Sequence, residues 1–218
     1  MKFRINSSYF RILSLGLFLA SILSGAWQSK TFAADTSCKY SVAAEQTSLE
    51  WKAFKFTEKT GVGGKFTKVS ISGTKPGDSV TQALKGLKFS IDPADLNSGN
   101  TERDPKIKGA FFGNLKSGGK ISGSLSSISL EADQKSGKGV VHLTLNGVTK
   151  PVPLQFTLEN GNILNAKGSV DLNHWNAGAA LKALNDLCKE LHTSKDGKSV
   201  LWPDVEIAIK SELKKDCK

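Results

Sequence analysis

The stretch GVVHLTLNGVTKPVPLQFTLENGNILNAKGSVDL, residues 139–172, decides the fold. Within it Val152, Leu154, Phe156 and Leu158 alternate with Pro153, Gln155 and Thr157. A period of two puts the apolar set on one face, so Val152 to Leu158 reads as a half-buried β-strand. Asn146-Gly147 and Asn160-Gly161 flank it. Asn-Gly is favoured in tight hairpin turns because both central positions need positive φ. The first turn reads as extended by Val148-Thr149-Lys150-Pro151, and the runs Gly139 to Leu145 and Ile163 to Leu172 supply the neighbouring strands.

The same period continues outward. Leu49, Trp51 and Ala53 share one phase, Val69, Ile71 and Gly73 another, and Leu87, Phe89 and Ile91 a third. Ile121 to Leu130 is a further strand, and Val205 to Ile209, after Trp202-Pro203, is the last. The glycine-rich segment Thr60 to Phe66 lacks the full glycine and Lys-Ser/Thr pattern of a phosphate-binding loop, and it reads as a strand turn or bulge. Many short strands joined by glycine-containing turns indicate an antiparallel sandwich or barrel. One stretch breaks the pattern. Ala177 to Leu191 has apolar residues at helical spacing, with Asn176 as N-cap and His192 at the C-terminal end, and such a helix can cover one end of a barrel.

Leu96 to Phe112, LNSGNTERDPKIKGAFF, joins turn residues to a short amphipathic segment ending in two phenylalanines. It reads either as a plug over an apolar interior or as a surface loop anchored by its aromatics.

At the N-terminus Lys2, Arg4 and Arg11 precede or open an acid-free apolar run, Ile12 to Ala26, and Thr31-Phe32-Ala33 offers small residues for cleavage. This is the pattern of a signal peptide, residues 1–33. The run is short of the roughly 20 residues that span a bilayer. The leader holds four basic residues and no acidic ones, so its removal takes the net charge from +10 to +6. The remaining lysines are scattered, which excludes nucleic acid as a partner and suits a solvated surface with mild attraction to anionic membranes. Residues 34–218 are enough for one domain. Cys38 precedes the first strand and Cys217 follows the last, so antiparallel pairing of those strands would set them side by side as a disulfide, leaving Cys188 free on the helix. Cys38–Cys188 is the alternative, because spacing does not determine connectivity.

Little here suggests catalysis. There is no G-x-S-x-G, and Glu102, Arg103 and Asp104 are adjacent turn residues that point different ways. His142 falls in the polar phase of its strand. Cys188 and His192 are spaced to share a helix face and could touch a metal or haem, but no pattern supplies the remaining zinc ligands. The chain reads as a non-enzyme.

Several blocks resemble the YceI-like family. They are Trp51 with Gly61-Val62-Gly63-Gly64-Lys65-Phe66, then Phe89-Ser90-Ile91-Asp92, then Ser98-Gly99-Asn100 with Arg103-Asp104 and Phe111-Phe112. Gly123-Ser124-Leu125 and Leu145-Asn146-Gly147-Val148-Thr149-Lys150-Pro151-Val152 complete the series. The resemblance implies a mainly β fold: a single antiparallel lipocalin-like barrel of about eight strands. To this the residues add a helix before the last strand and a short helical segment near 103–112. It also implies a periplasmic carrier whose apolar tunnel holds a polyisoprenoid or other long-chain lipid, with no cofactor or metal. The implied lining is Trp51, Phe54, Phe66, Phe89, Ile91, Phe111, Phe112, Leu145, Leu154, Phe156 and Trp175, with Arg103 a partner for a polar head group. Burial of the ligand would supply affinity at about 25 cal/mol per Å² before association costs. The segment Trp175 to Trp202 departs from the shorter final hairpin of better-known members. Expected partners are the lipid and, transiently, an inner-membrane surface or membrane protein; the sequence is compatible with a dimer. Two rival readings are a periplasmic redox or haem-linked protein using Cys188 and His192, and a stress-related barrel with no ligand.

Overall fold

A computed structural model of the chain describes residues 37–218. The expected leader, residues 1–33, lies outside the described residues. The strands are β1 (Cys38–Ser41), β2 (Thr47–Lys55), β3 (Thr60–Phe66), β4 (Ser70–Ser72), β5 (Lys88–Ile91) and β6 (Leu96–Asn97). They continue with β7 (Ile121–Leu130), β8 (Ser136–Leu145), β9 (Val148–Glu159), β10 (Ile163–Asp171), β11 (Leu201–Glu212) and β12 (Lys214–Cys217). Short helices α1 (Val80–Ala83), α2 (Arg103–Lys106), α3 (Gly178–Leu187) and α4 (Lys189–His192) interrupt them.

Ten strands form one antiparallel sheet in the order β4-β5-β7-β8-β9-β10-β11-β2-β3-β6, and β1 pairs with β12 separately. The two edges of the large sheet are joined by the chain itself. β3 runs into β4 and β5 into β6, and the same two segments pair on both sides of the break, Ile71 opposite Phe89 and Phe66 opposite Leu96. Between them the Thr67 N–H donates to the Asp95 carbonyl at 2.8 Å. The sheet therefore curls round until its edges meet. Taking each bent pair as one strand leaves eight, the number expected for a barrel of this kind.

The stretch 139–172 behaves as its period requires. Val152, Leu154 and Phe156 are buried and their neighbours exposed. Asn146 and Gly147 have φ of 52° and 74°, and Asn160 and Gly161 of 53° and 75°, the left-handed pair that matches the twist of the strands. The first turn is tighter than expected, because β9 begins at Val148 rather than after Pro151. Pro151 and Pro153 are tolerated inside it because the β9–β10 ladder stops at Leu154.

The glycine-rich segment is neither turn nor bulge. Thr60–Phe66 is a regular strand, and the preceding turn is made by Phe56 and Lys59 at positive φ. One of its glycines, Gly64, answers a packing demand. A Cβ on Gly64 would stand 2.5 Å from Trp51 Cζ2 and 2.8 Å from both the Asn97 carbonyl oxygen and Ser98 Cα. Two of those atoms are backbone and cannot step aside. Gly64→Ala is expected to cost about 1–3 kcal/mol, read as a lower urea midpoint at unchanged slope.

The helix before the last strand also differs from its spacing. Asn176, at φ 54°, ends the 3₁₀ turn Leu172–Trp175 instead of capping α3. The expected single helix breaks at Cys188, whose φ and ψ are −108° and 23°. Leu187 and Leu191, apolar positions of the expected stripe, face solvent at 60% and 57% exposure. No helix among the described residues is long and apolar enough to cross a membrane.

Cys38 faces Cys217 in the β1–β12 register and the two form a disulfide, while Cys188 is free and buried. This selects the first of the two pairings that the sequence allowed.

Candidate functional site

The inward faces of the strands enclose a cavity of about 290 Å³. Leu49, Trp51 and Ala53 of β2 line it beside Val205, Ile207 and Ile209 of β11, and Leu154, Phe156 and Ala166 continue the wall across β9 and β10. One end is covered by Leu84, just after α1, which packs with Val80 and Leu213. The opposite end is covered by the run that follows α2, a π-helical turn Ile107–Phe111, and by α3. Phe111 and Phe112 meet edge-on at 5.0 Å, and Phe112 meets Phe66 at 6.4 Å. Leu181 and Leu184 of α3 complete that end. Of the two readings of Leu96 to Phe112, this placement matches the plug. Two hydroxyls stand on the wall, Thr47 and Ser211, and they satisfy each other at 2.8 Å.

Trp51, Phe66, Phe89, Ile91, Phe111, Phe112, Leu145, Leu154 and Phe156 therefore share one cavity. Phe54, Trp175 and Arg103 do not line it. Phe54 is one residue out of phase with Trp51 and Ala53, so it points outward, where Lys52 and Lys59 cover its ring at 5.1 and 5.3 Å. Trp175 lies beyond the end of β10, where alternation has no hold. It is 2% exposed, its indole N–H donates to the Leu143 carbonyl at 3.0 Å, and Asn146 Nδ2 donates to its own carbonyl. It is packing, not wall. Arg103 stands at the start of α2, outside the cavity, with Nε donating to Ser98 Oγ at 3.0 Å and Nη2 to the Ser98 carbonyl at 3.3 Å. Sequence reasoning missed Leu49, Leu181, Leu184 and the inward residues of β11. The phase of Leu49 with Trp51 and of Val205 with Ile207 was the signal that could have found them.

The α4 end of the cavity is basic at its rim. Lys55 keeps the inward phase of Trp51 and Ala53, one step past the wall, and donates to the Leu191 carbonyl at 2.9 Å. Burial, then the Arg103 guanidinium, hold its ammonium below the usual lysine value, and Cys188 pulls weakly the other way. Burial, then Lys55, likewise lower His192, whose Nδ1 bonds Asn185 Oδ1 at 3.0 Å. For Asp104 burial acts upward, but hydrogen bonds from Ser98 and the charges of Lys108 and Arg103 outweigh it and the carboxyl is lowered. Trp51 Nε1 is buried with no hydrogen-bond partner among the described residues. An orphaned donor of this kind costs about 1–3 kcal/mol.

Residues 40–213 match the family model of the YceI-like domain. The chain belongs to the YceI-like family. Its fold is similar to that of a polyisoprenoid binding domain from Saccharophagus degradans implicated in plant cell wall breakdown, at 13% identity over 82% of this chain and 98% of that one, with a TM-score of 0.55. It is also similar to Burkholderia cenocepacia BcnA, at 16% identity over 78% and 98% of the two chains, with a TM-score of 0.54. No curated protein matches it in sequence.

In this YceI-like barrel Cys188 and His192 do not form the single helical face that their spacing suggested. The break at Cys188 separates them, the thiol is packed in the core, and His192 is bonded to Asn185. Among the described residues no group of three or more His, Cys, Asp or Glu side chains could hold a metal ion.

Proposed function

We propose that the protein is an exported, periplasmic carrier that holds a polyisoprenoid or another long-chain lipid in the barrel cavity and does no covalent chemistry on it. The observation that carries this reading is the cavity, about 290 Å³, whose lining is almost wholly apolar and whose two hydroxyls, Thr47 and Ser211, bond each other. Such a space suits a tail that seeks to leave water and offers a reactive group nothing to work with. Membership of the YceI-like family and the likeness of fold to a polyisoprenoid binding domain support it. The Cys38–Cys217 disulfide suits an oxidising compartment.

Native mass spectrometry of protein purified from a periplasm, followed by organic extraction, tests the reading. A solvent-extractable added mass is the expected result, and a bare chain less two hydrogens would favour a barrel without ligand. Ala166 is a small wall residue opposite Phe156. Ala166→Phe is expected to lower lipid occupancy by more than about tenfold, since its ring takes space that tail methylenes worth about 0.8 kcal/mol each would fill. Stability should hold or rise as the cavity fills. Unchanged occupancy in this variant would place the lipid elsewhere.

A further inference from the structure

Leu187 and Leu191 are the exposed large apolar side chains among the described residues. Leu187 ends α3, the helix whose Leu181 and Leu184 cover one end of the cavity, and Leu191 follows in α4. The backbone beneath them is fastened, so fraying does not account for their exposure. Lys55 Nζ donates to the Leu191 carbonyl at 2.9 Å, Thr193 Oγ1 to the Lys189 carbonyl at 2.7 Å, and Ser199 Oγ to Asn185 Oδ1 at 3.2 Å. At the break the Cys188 thiol stays in the core, while the leucine before it and the one three residues after it turn to water.

The surface at this end is basic. Residues 105–130 hold Lys106, Lys108, Lys116 and Lys120 and no acidic residue. α3 packs on the run Ile107–Phe111, which carries Lys108 and follows Lys106. Lys116 is joined to the root of α3 through the β8–β9 turn. Its N–H donates to Asn146 Oδ1, and Asn146 Nδ2 donates to the carbonyls of Trp175 and Asn176. Over residues 102–120 and 182–198 basic side chains outnumber acidic ones nine to five. Lys182 is paired with Asp186, but Lys106, Lys108, Lys116, Lys120 and Lys189 are in no ion pair among the described residues.

We propose that Leu187 and Leu191, with these lysines, form a docking surface for an anionic phospholipid bilayer. Two leucines are far less than the roughly 800 Å² per partner that a stable protein interface buries. A bilayer surface asks for less: a few apolar side chains that pass the head groups, and cations that meet the phosphates. The inference rests on the lipid-carrier reading for its purpose. A tail that leaves a bilayer for the cavity avoids water if the covered end lies against that bilayer, and α3 runs from Leu184 in the wall to Leu187 outside.

The test is flotation of the exported protein with vesicles of phosphatidylcholine, with and without phosphatidylglycerol. The parent is expected to float with the anionic vesicles, and several-fold less with neutral ones or at high salt. The double variant Leu187→Ser, Leu191→Ser should bind anionic vesicles about tenfold or more weakly, and Lys116→Gln with Lys120→Gln several-fold more weakly. Melting temperatures, and oleate affinity read by displacement of a fluorescent apolar dye, should match the parent in both, because none of the four residues lines the cavity. A leucine double variant that floats like the parent would overturn the docking surface, and so would a parent that floats with no vesicle. Neither result touches the lipid extracted from purified protein, on which the carrier reading stands or falls. A parent dimer that the leucine variant dissolves, with no flotation, would assign the two leucines to a second copy of the chain instead.

Discussion

Replacing Cys38 and Cys217 together by alanine should lower the stability of the protein by about 5 kcal/mol, the chain-entropy value for a loop of this size. The two cysteines are 179 residues apart, so the bond restrains nearly the whole domain in its unfolded state. For a domain of this length the melting temperature should fall by roughly 10–20 °C. The effect should also be local. Tyr40, two residues from Cys38, exchanges backbone hydrogen bonds with Gly77 at 2.8 and 3.0 Å, and Gly77 leads into α1 at the end of the cavity that Leu84 covers. Hydrogen exchange at Val80–Leu84 should therefore speed up more than exchange in β8 or β9. A double variant that melts like the parent would show that the backbone bonds of the β1–β12 ladder hold the termini alone.

Trp175→Ala should cost about 3–5 kcal/mol and leave lipid affinity per folded molecule unchanged. The ring is almost wholly buried behind the wall, and its loss also strips the Leu143 carbonyl of a 3.0 Å hydrogen bond. The hairpin turn at Asn146-Gly147 suffers with it, because Asn146 bonds the carbonyls of Trp175 and Asn176 and receives the Lys116 N–H. Calorimetry and dye displacement on the same sample separate the two effects. Lost lipid with an unchanged melting temperature would return Trp175 to the wall.

These two sites differ in how much of them could be read in advance. The pairing of Cys38 with Cys217 was expected from antiparallel pairing of the strands around Trp51 and Ile207, which the fold keeps as β2 and β11. The fold made the choice between two partners for Cys38 and set the bond in a separate ladder, β1–β12, that alternation did not reveal. Trp175 offered no such handle. It follows a strand, in a 3₁₀ turn, and a large aromatic next to a presumed tunnel reads as lining until its direction is known. Phe54 is a different case, since its odd step from Trp51 and Ala53 already placed it on the other face.

By itself the sequence determined the strand alternation, the Asn-Gly hairpins, the mainly β class and the family. Each of these is a local or nearly local property, because side-chain period and turn φ are set within a few residues. Tertiary structure alone decided the rest. It showed that Thr60–Phe66 is a strand whose Gly64 leaves room for the Trp51 indole, and that the helix breaks at Cys188. It also brought Lys55, Arg103 and His192 to one end of the cavity from three distant segments. Which groups meet there depends on the curl of a ten-stranded sheet and on where the inserted helices land on it, and no local pattern encodes either.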